Sequence, residues 1–152
     1  MKIAVLGAGA MGSLYAARFA MAGHSVFAID PWEAHVSAIN ASGLRMRGPD
    51  GEQLIMGIQA SVLPDLAEAA ELVIIATKAA EVGAAAKAIF PLIRANTTVL
   101  TIQNGLGAGA RIAEYLPPES TLLGVADGFG ASMVAPGFVQ HTAMKLIRLG
   151  EV

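Results

Sequence analysis

Apolar residues along this chain fall into short runs, and the polar and small residues between them set the first expectation. Ile3 to Leu6, Ser25 to Ile29, Leu72 to Ala76, Thr98 to Ile102 and Thr121 to Ala126 are each a few residues long and mostly apolar. Runs of that kind read as strands buried on both faces of a parallel sheet. Helical patterns separate them: Met11 to Ala22, Trp32 to Asn40, Glu81 to Arg94 (ending near Pro91 or Ala95), and about Ala108 to Tyr115. Gly23 and Gly43 stand where two of these helices would stop. Pro64-Asp65 starts a shorter helical turn over Leu66 to Ala70.

Two stretches follow a different rhythm. Leu44, Met46, Leu54, Met56 and Ile58 alternate with polar or small residues about Gly48-Pro49-Asp50-Gly51, which predicts a β-hairpin. The tail from Gly130 to Leu149 alternates too, with a Pro136-Gly137 turn, and reads as antiparallel. Strand and helix alternation before it predicts an α/β fold. The expected architecture is a doubly wound, mostly parallel sheet of the Rossmann type with right-handed crossovers and antiparallel C-terminal strands.

Composition narrows the class. A chain of 152 residues with 55% apolar and 14% charged residues suits one domain with a covered sheet. A net charge of −2 is no footprint for nucleic acid. The chain has no cysteine, so disulfides and thiolate chemistry are excluded, which suits a cytoplasmic protein. Lys2 and the apolar run after it imitate a signal peptide, but three regularly placed glycines and Arg18 argue against one. No run approaches the roughly 18 apolar residues of a membrane helix. No metal-ligand cluster is expected.

The first strand leads into the chemistry. Gly7, Gly9 and Gly12 fall in the spacing G-x-G-x-x-G, between that strand and the first helix. Gly7 permits the tight turn, Gly9 lets the backbone approach a pyrophosphate, and Gly12 lets the helix pack close to the strand. With Ala8, Ala10 and Met11 they form a candidate dinucleotide cradle at a helix N-terminus. Alone the motif is a Gly-rich turn. Here an acidic residue, Asp30, also ends the next strand. A carboxylate there accepts hydrogen bonds from the adenosine ribose and repels a 2′-phosphate, which favours NAD. The alternative is that Asp30 caps the helix near Trp32.

Other polar residues gather at the same ends of the strands: Thr77-Lys78 and Gln103-Asn104. Open α/β sheets bind ligands there. Lys78 can hydrogen-bond a keto oxygen or carboxylate, or be a surface lysine at a strand exit. Asn104 can hold the nicotinamide ribose or the substrate, or serve as an Asn-Gly turn residue. Both are candidate catalytic and cofactor-binding residues. Arg45 and Arg47 share a hairpin face, either near the cofactor phosphates or solvated. His24 reads as a loop histidine.

With KIAVLGAGAMGS at the start, ATKA over Ala76 to Ala79 and IQNGLG over Ile102 to Gly107, the chain resembles the ketopantoate reductase (2-dehydropantoate 2-reductase) family. PGFVQHTAMKLIRLGE resembles the end of that family's cofactor domain. The resemblance implies that residues 1–152 are an NAD(P)-binding domain and that a helical C-terminal domain is absent from this chain. It implies reduction of ketopantoate, a small keto acid, to pantoate with NADPH on the way to pantothenate. Residues Gly7 to Gly12 would hold the pyrophosphate, with Lys78 beside nicotinamide and substrate and Asn104 against the cofactor. Ala131 would match a cofactor-contacting alanine.

Two departures from the family pattern stand out. Members using NADPH place an arginine after the second strand, where this chain has Asp30-Pro31. The family's chain is also longer, and its second domain supplies the lysine that acts as general acid. The cofactor is therefore NADP by resemblance or NAD by Asp30. Without that domain the sheet rim exposes an apolar patch, and self-association as a homodimer is expected. The alternatives are the cofactor domain of another hydroxyacid or opine-type dehydrogenase, and a stand-alone nucleotide-binding module.

Overall fold

Strand β1 (Lys2–Leu6) is buried on both sides because its residues alternate between two cores. Ile3 and Val5 face one, and Ala4 and Leu6 face the other. The computed structural model describes residues 1–64, 69–104, 107–143 and 145–151. After β1 come α1 (Ala10–Met21), β2 (Ser25–Ile29) and α2 (Glu33–Ser42). The hairpin β3 (Leu44–Gly48) and β4 (Gly51–Ile55) follows, then β5 (Gln59–Ser61). The second half runs β6 (Leu72–Ile75), α3 (Val82–Ala88), β7 (Thr98–Thr101), α4 (Ala108–Ala113) and β8 (Thr121–Asp127). It ends with β9 (Gly130–Ala135), β10 (Phe138–Ala143) and β11 (Leu146–Glu151).

The strands form two sheets. The larger has the order β11-β8-β7-β6-β1-β2-β5. All its pairings are parallel except β8 with β11. The smaller has the order β4-β3-β10-β9. On one face of the large sheet, α1 and the small sheet pack together around Leu14, Ile39, Leu44, Met46 and Val139. On the other, α3 and α4 pack through Val82, Ile89 and Ile112 onto Val73, Ile75 and Val99. This is the expected doubly wound, mostly parallel sheet.

Several boundaries differ from expectation for local reasons. The helix expected over Glu81 to Arg94 is α-helical only from Val82 to Ala88. A 3-10 turn over Phe90–Leu92 replaces its last part, where Pro91 has no N–H to give. The last helix ends at Ala113, although the Tyr115 and Leu116 N–H groups still turn back to Ile112. Met56, expected in the hairpin, lies beyond β4 and is 64% exposed. The turn expected over Leu66 to Ala70 falls mostly on residues 65–68, outside the described residues. The tail's hairpin turns at Pro136-Gly137 as expected, but β10 also pairs in parallel with β3, Phe138 opposite Arg45. No helix among the described residues is long and apolar enough to cross a membrane.

Candidate functional site

The glycine turn sits where β1, β2 and β6 present their carboxyl ends. Gly7 and Ala8 donate their N–H groups to the Ile29 carbonyl at 2.8 and 3.1 Å, which folds the turn onto β2. Gly7 has φ +87°, and a Cβ there would lie 2.7 Å from the Thr77 nitrogen. Left-handed backbone and the neighbouring strand both demand glycine. A Cβ on Gly12 would overlap the Gly7 carbonyl oxygen, so helix and turn meet only through glycine. Gly9 is different. Its φ is −61°, and a Cβ there would meet nothing within 4 Å. Neither backbone conformation nor internal packing requires glycine at that position. The open space lies at the N-terminus of α1, whose leading N–H groups have no side-chain cap.

A cleft of about 470 Å³ opens beside this turn. Gly7, Gly9, Asp30, Pro31, Thr77 and Lys78 help to line it, with Ala84 and Ala88 of α3 opposite. A second, of about 380 Å³, is lined by Met11, Thr77, Lys78, Gln103 and Asn104. Both share Ala76, Thr77 and Lys78, so together they form a groove along the rim of the sheet. Asp30 lies at one end and Asn104 at the other.

Asp30 uses Oδ1 to accept the Trp32 N–H at 2.9 Å. That bond closes the turn leading into α2, whose own cap position, Trp32, has no side-chain cap. Asp30 also lines the cleft. Lys78 is exposed at the exit of β6. Asn104 is exposed too, and the chain beyond it enters α4 rather than a strand, so no hairpin closes there. Gly105 and Leu106 lie outside the described residues. Ala10 and Met11 begin α1 beside the groove. Ala131 stands apart: it is on β9, packed against the core that α1 shares with the small sheet, and lines neither cleft.

The groove contains features that residue types alone did not mark. The Thr77 hydroxyl is buried, and no described donor or acceptor reaches it. Such an atom at the junction of two clefts suits a polar ligand. Gln103 braces the floor: its Nε2 donates to the Ile75 carbonyl at 2.6 Å and to the Thr77 carbonyl at 3.1 Å. Its Oε1 accepts the Thr101 hydroxyl. Arg111 of α4 donates to the Ala79 carbonyl at 3.0 Å, fixing the segment after Lys78. Apart from the Thr101 bond, these contacts join residues distant in sequence, and only the placing of Thr77 and Gln103 at strand ends hinted at them.

Arg45 and Arg47 line neither cleft. Both donate to Glu52 across the hairpin, and their guanidiniums lie 4.3 and 4.8 Å from the centre of the Phe138 ring. Their hydrogen bonds hold the Glu52 carboxyl below the usual carboxylate range. His24 lies 3.4 Å from the N-terminal ammonium and tilts against Phe19, away from the groove. Among the described residues no group of His, Asp or Glu could hold a metal ion.

Known proteins share this arrangement. The family model for ketopantoate reductase PanE/ApbA matches residues 3–152. A 2-dehydropantoate 2-reductase from Mesorhizobium japonicum is 34% identical over 99% of this chain and 52% of its own length. One from Pyrococcus abyssi is 35% identical over 99% of this chain and 47% of its own. A ketopantoate reductase of Ralstonia eutropha superposes with a TM-score of 0.90 at 31% identity, over 98% of this chain and 49% of that one. A D-mandelate dehydrogenase solved with NADH and anilino(oxo)acetate superposes with a TM-score of 0.82 at 32% identity, over 93% and 46%. The chain spans about half the length of the curated relatives it matches. A glycine turn opening onto a groove at the sheet's carboxyl rim, and a family model covering all but two residues of the chain, agree: this chain belongs to the ketopantoate reductase family.

Proposed function

We propose that this chain is the dinucleotide-binding part of a reductase that moves hydride from NAD(P)H to a small 2-keto acid such as ketopantoate. The carrying observation is the groove that runs from Asp30 past the glycine turn and Thr77 to Lys78 and Asn104. Its parts suit a dinucleotide. Open space at Gly9 and the uncapped start of α1 accept a pyrophosphate. The orphaned Thr77 hydroxyl awaits a polar partner. Bound nicotinamide supplies the hydride. The residues of this chain orient it: Asn104 holds the nicotinamide end, and Lys78 donates to the keto oxygen or carboxylate of the substrate. The matched relatives are about twice as long, and the 152 residues by themselves are expected to show negligible ketopantoate-dependent NAD(P)H oxidation.

Asp30 decides between the cofactors. Asp30 lines the cleft beside the glycine turn, and the hairpin arginines, which line neither cleft, are held by Glu52. A negative charge there accepts ribose hydroxyls and repels a 2′-phosphate. NADH is expected to bind the 152-residue chain more tightly than NADPH in calorimetry at matched ionic strength. Asp30→Ala weakens NADH by about tenfold, and it narrows the gap to NADPH. Equal affinities in the unaltered chain would remove the argument from Asp30, and binding of neither would remove the dinucleotide reading.

A second reading follows from the D-mandelate dehydrogenase likeness, whose solved complexes contain NADH. The same domain with NADH would serve reduction of another 2-keto acid. Turnover of benzoylformate against ketopantoate by a protein carrying both halves separates the two.

A further inference from the structure

His35 is fully buried, yet both of its ring nitrogens are engaged. The Gly137 N–H donates to Nδ1 at 2.9 Å. Nδ1 is therefore unprotonated, and the ring proton sits on Nε2. Nε2 lies 3.0 Å from the Ser13 Oγ, to which it donates. The Ser13 hydroxyl in turn donates to the Ala8 carbonyl at 2.6 Å. The direction of this relay is fixed at its far end, because a backbone N–H can only donate.

The relay ends inside the glycine turn. Ala8 O and the Gly9 N–H belong to one planar peptide unit and point in opposite directions. Drawing the Ala8 carbonyl toward Ser13 therefore turns the Gly9 N–H the other way, and Gly9 lines the cleft. The other side of His35 reaches Asp30. The Trp32 ring stacks on the imidazole at 5.3 Å with 18° between planes, and the Trp32 N–H is held by Asp30.

We propose that His35, in its neutral Nε2–H form, is a positioning residue for the dinucleotide: through Ser13 it aims the glycine turn, and it links that aim to the β9–β10 turn. The proposal rests on the dinucleotide reading of the groove. The groups facing the ring are Ser13 of α1, the Ala8 carbonyl of the glycine turn, the Gly137 N–H, the Trp32 ring and, as charged neighbour, the Asp30 carboxylate. A second ring proton would set Nδ1–H against the Gly137 N–H, donor against donor, and break the relay. Burial pushes the imidazole below its usual range, outweighing the opposite pulls of Asp30 and of the Ala8 carbonyl.

Three variants of the full chain test this: Ser13→Ala, His35→Asn and His35→Gln. Asparagine places an acceptor near Nδ1 but no donor near Ser13, whereas the glutamine amide can replace the Nε2 donor. Ser13→Ala and His35→Asn are expected to weaken NADH binding by about tenfold, and His35→Gln restores most of it. In spectra of the cofactor-free chain, the Gly9 amide shift follows protonation of His35, and Ser13→Ala uncouples the two. If the unaltered chain binds NADH and all three variants bind it equally well, the positioning role falls and His35 is structural. If the unaltered chain binds no dinucleotide, the groove reading falls and takes the role with it, whatever the Gly9 shift does.

Discussion

Glycines of one motif do different work, and the difference is measurable. The methyl of Gly12→Ala would overlap the Gly7 carbonyl oxygen, so helix and turn must separate. Overpacking of this kind costs about 1–3 kcal/mol, and chemical denaturation should show it. At Gly9→Ala the methyl enters open space with an ordinary φ. Stability should stay within about 0.5 kcal/mol of the unaltered chain. NADH affinity should nevertheless fall by tenfold or so, since the methyl stands where the pyrophosphate is to lie. A Gly9→Ala protein binding NADH unchanged would place the phosphates elsewhere. The motif already assigned the turn to Gly7 and the close packing to Gly12; the structure adds how little room a Cβ has at each and how much at Gly9.

Individual elements are held by side chains as much as by their own pattern. Strand β5 has only three residues, too few for a period-two signal, and it was not foreseen. It forms because β2 offers an edge and because Asn40 of α2 caps its outer side. Asn40 Nδ2 donates to the Ala60 carbonyl at 2.8 Å, and Oδ1 accepts the Ala60 N–H at 2.9 Å. The amide thus mimics one more strand at an exposed edge. Asn40→Ala leaves both groups of Ala60 without these partners. A loss of about 1–2 kcal/mol is expected, with faster hydrogen exchange at the Ala60 amide. Unchanged exchange there would mean that β5 is secured by β2 alone. The longer strands needed no such help, since continuous apolar runs already specify burial on both faces.

Across the whole molecule, His35 joins α2 to α1 and to the β9–β10 turn, so its protonation bears on global stability. Burial lowers its proton affinity in the folded chain, while the unfolded chain titrates at the ordinary value of 6.5. The folded pKa is the depressed one. The unfolded state therefore binds more protons as the pH falls below about 6.5, and stability is lost in that direction. Above that value the contribution is fully present. Denaturation midpoints at pH 7.5 and 5.5 should differ more for the unaltered chain than for His35→Gln. Parallel profiles would show that the histidine is not the group responsible.

The sequence by itself determined the parallel sheet, the glycine turn and the convergence of Asp30, Lys78 and Asn104 at one rim. Each depends on local matters: apolar runs, the φ open to glycine, and the rule that open α/β sheets carry polar residues at their carboxyl ends. Family membership was legible for the same reason, because KIAVLGAGAMGS, ATKA and IQNGLG are short contiguous motifs. Tertiary structure alone decided the rest. The parallel pairing of β3 with β10 joins residues about ninety positions apart, and no local pattern encodes a partner at that distance. The unpartnered Thr77 hydroxyl, the Gln103 brace and the His35 relay likewise depend on how separate elements pack. Hydrogen bonds depend on where atoms lie in space, and spacing along the chain does not record that.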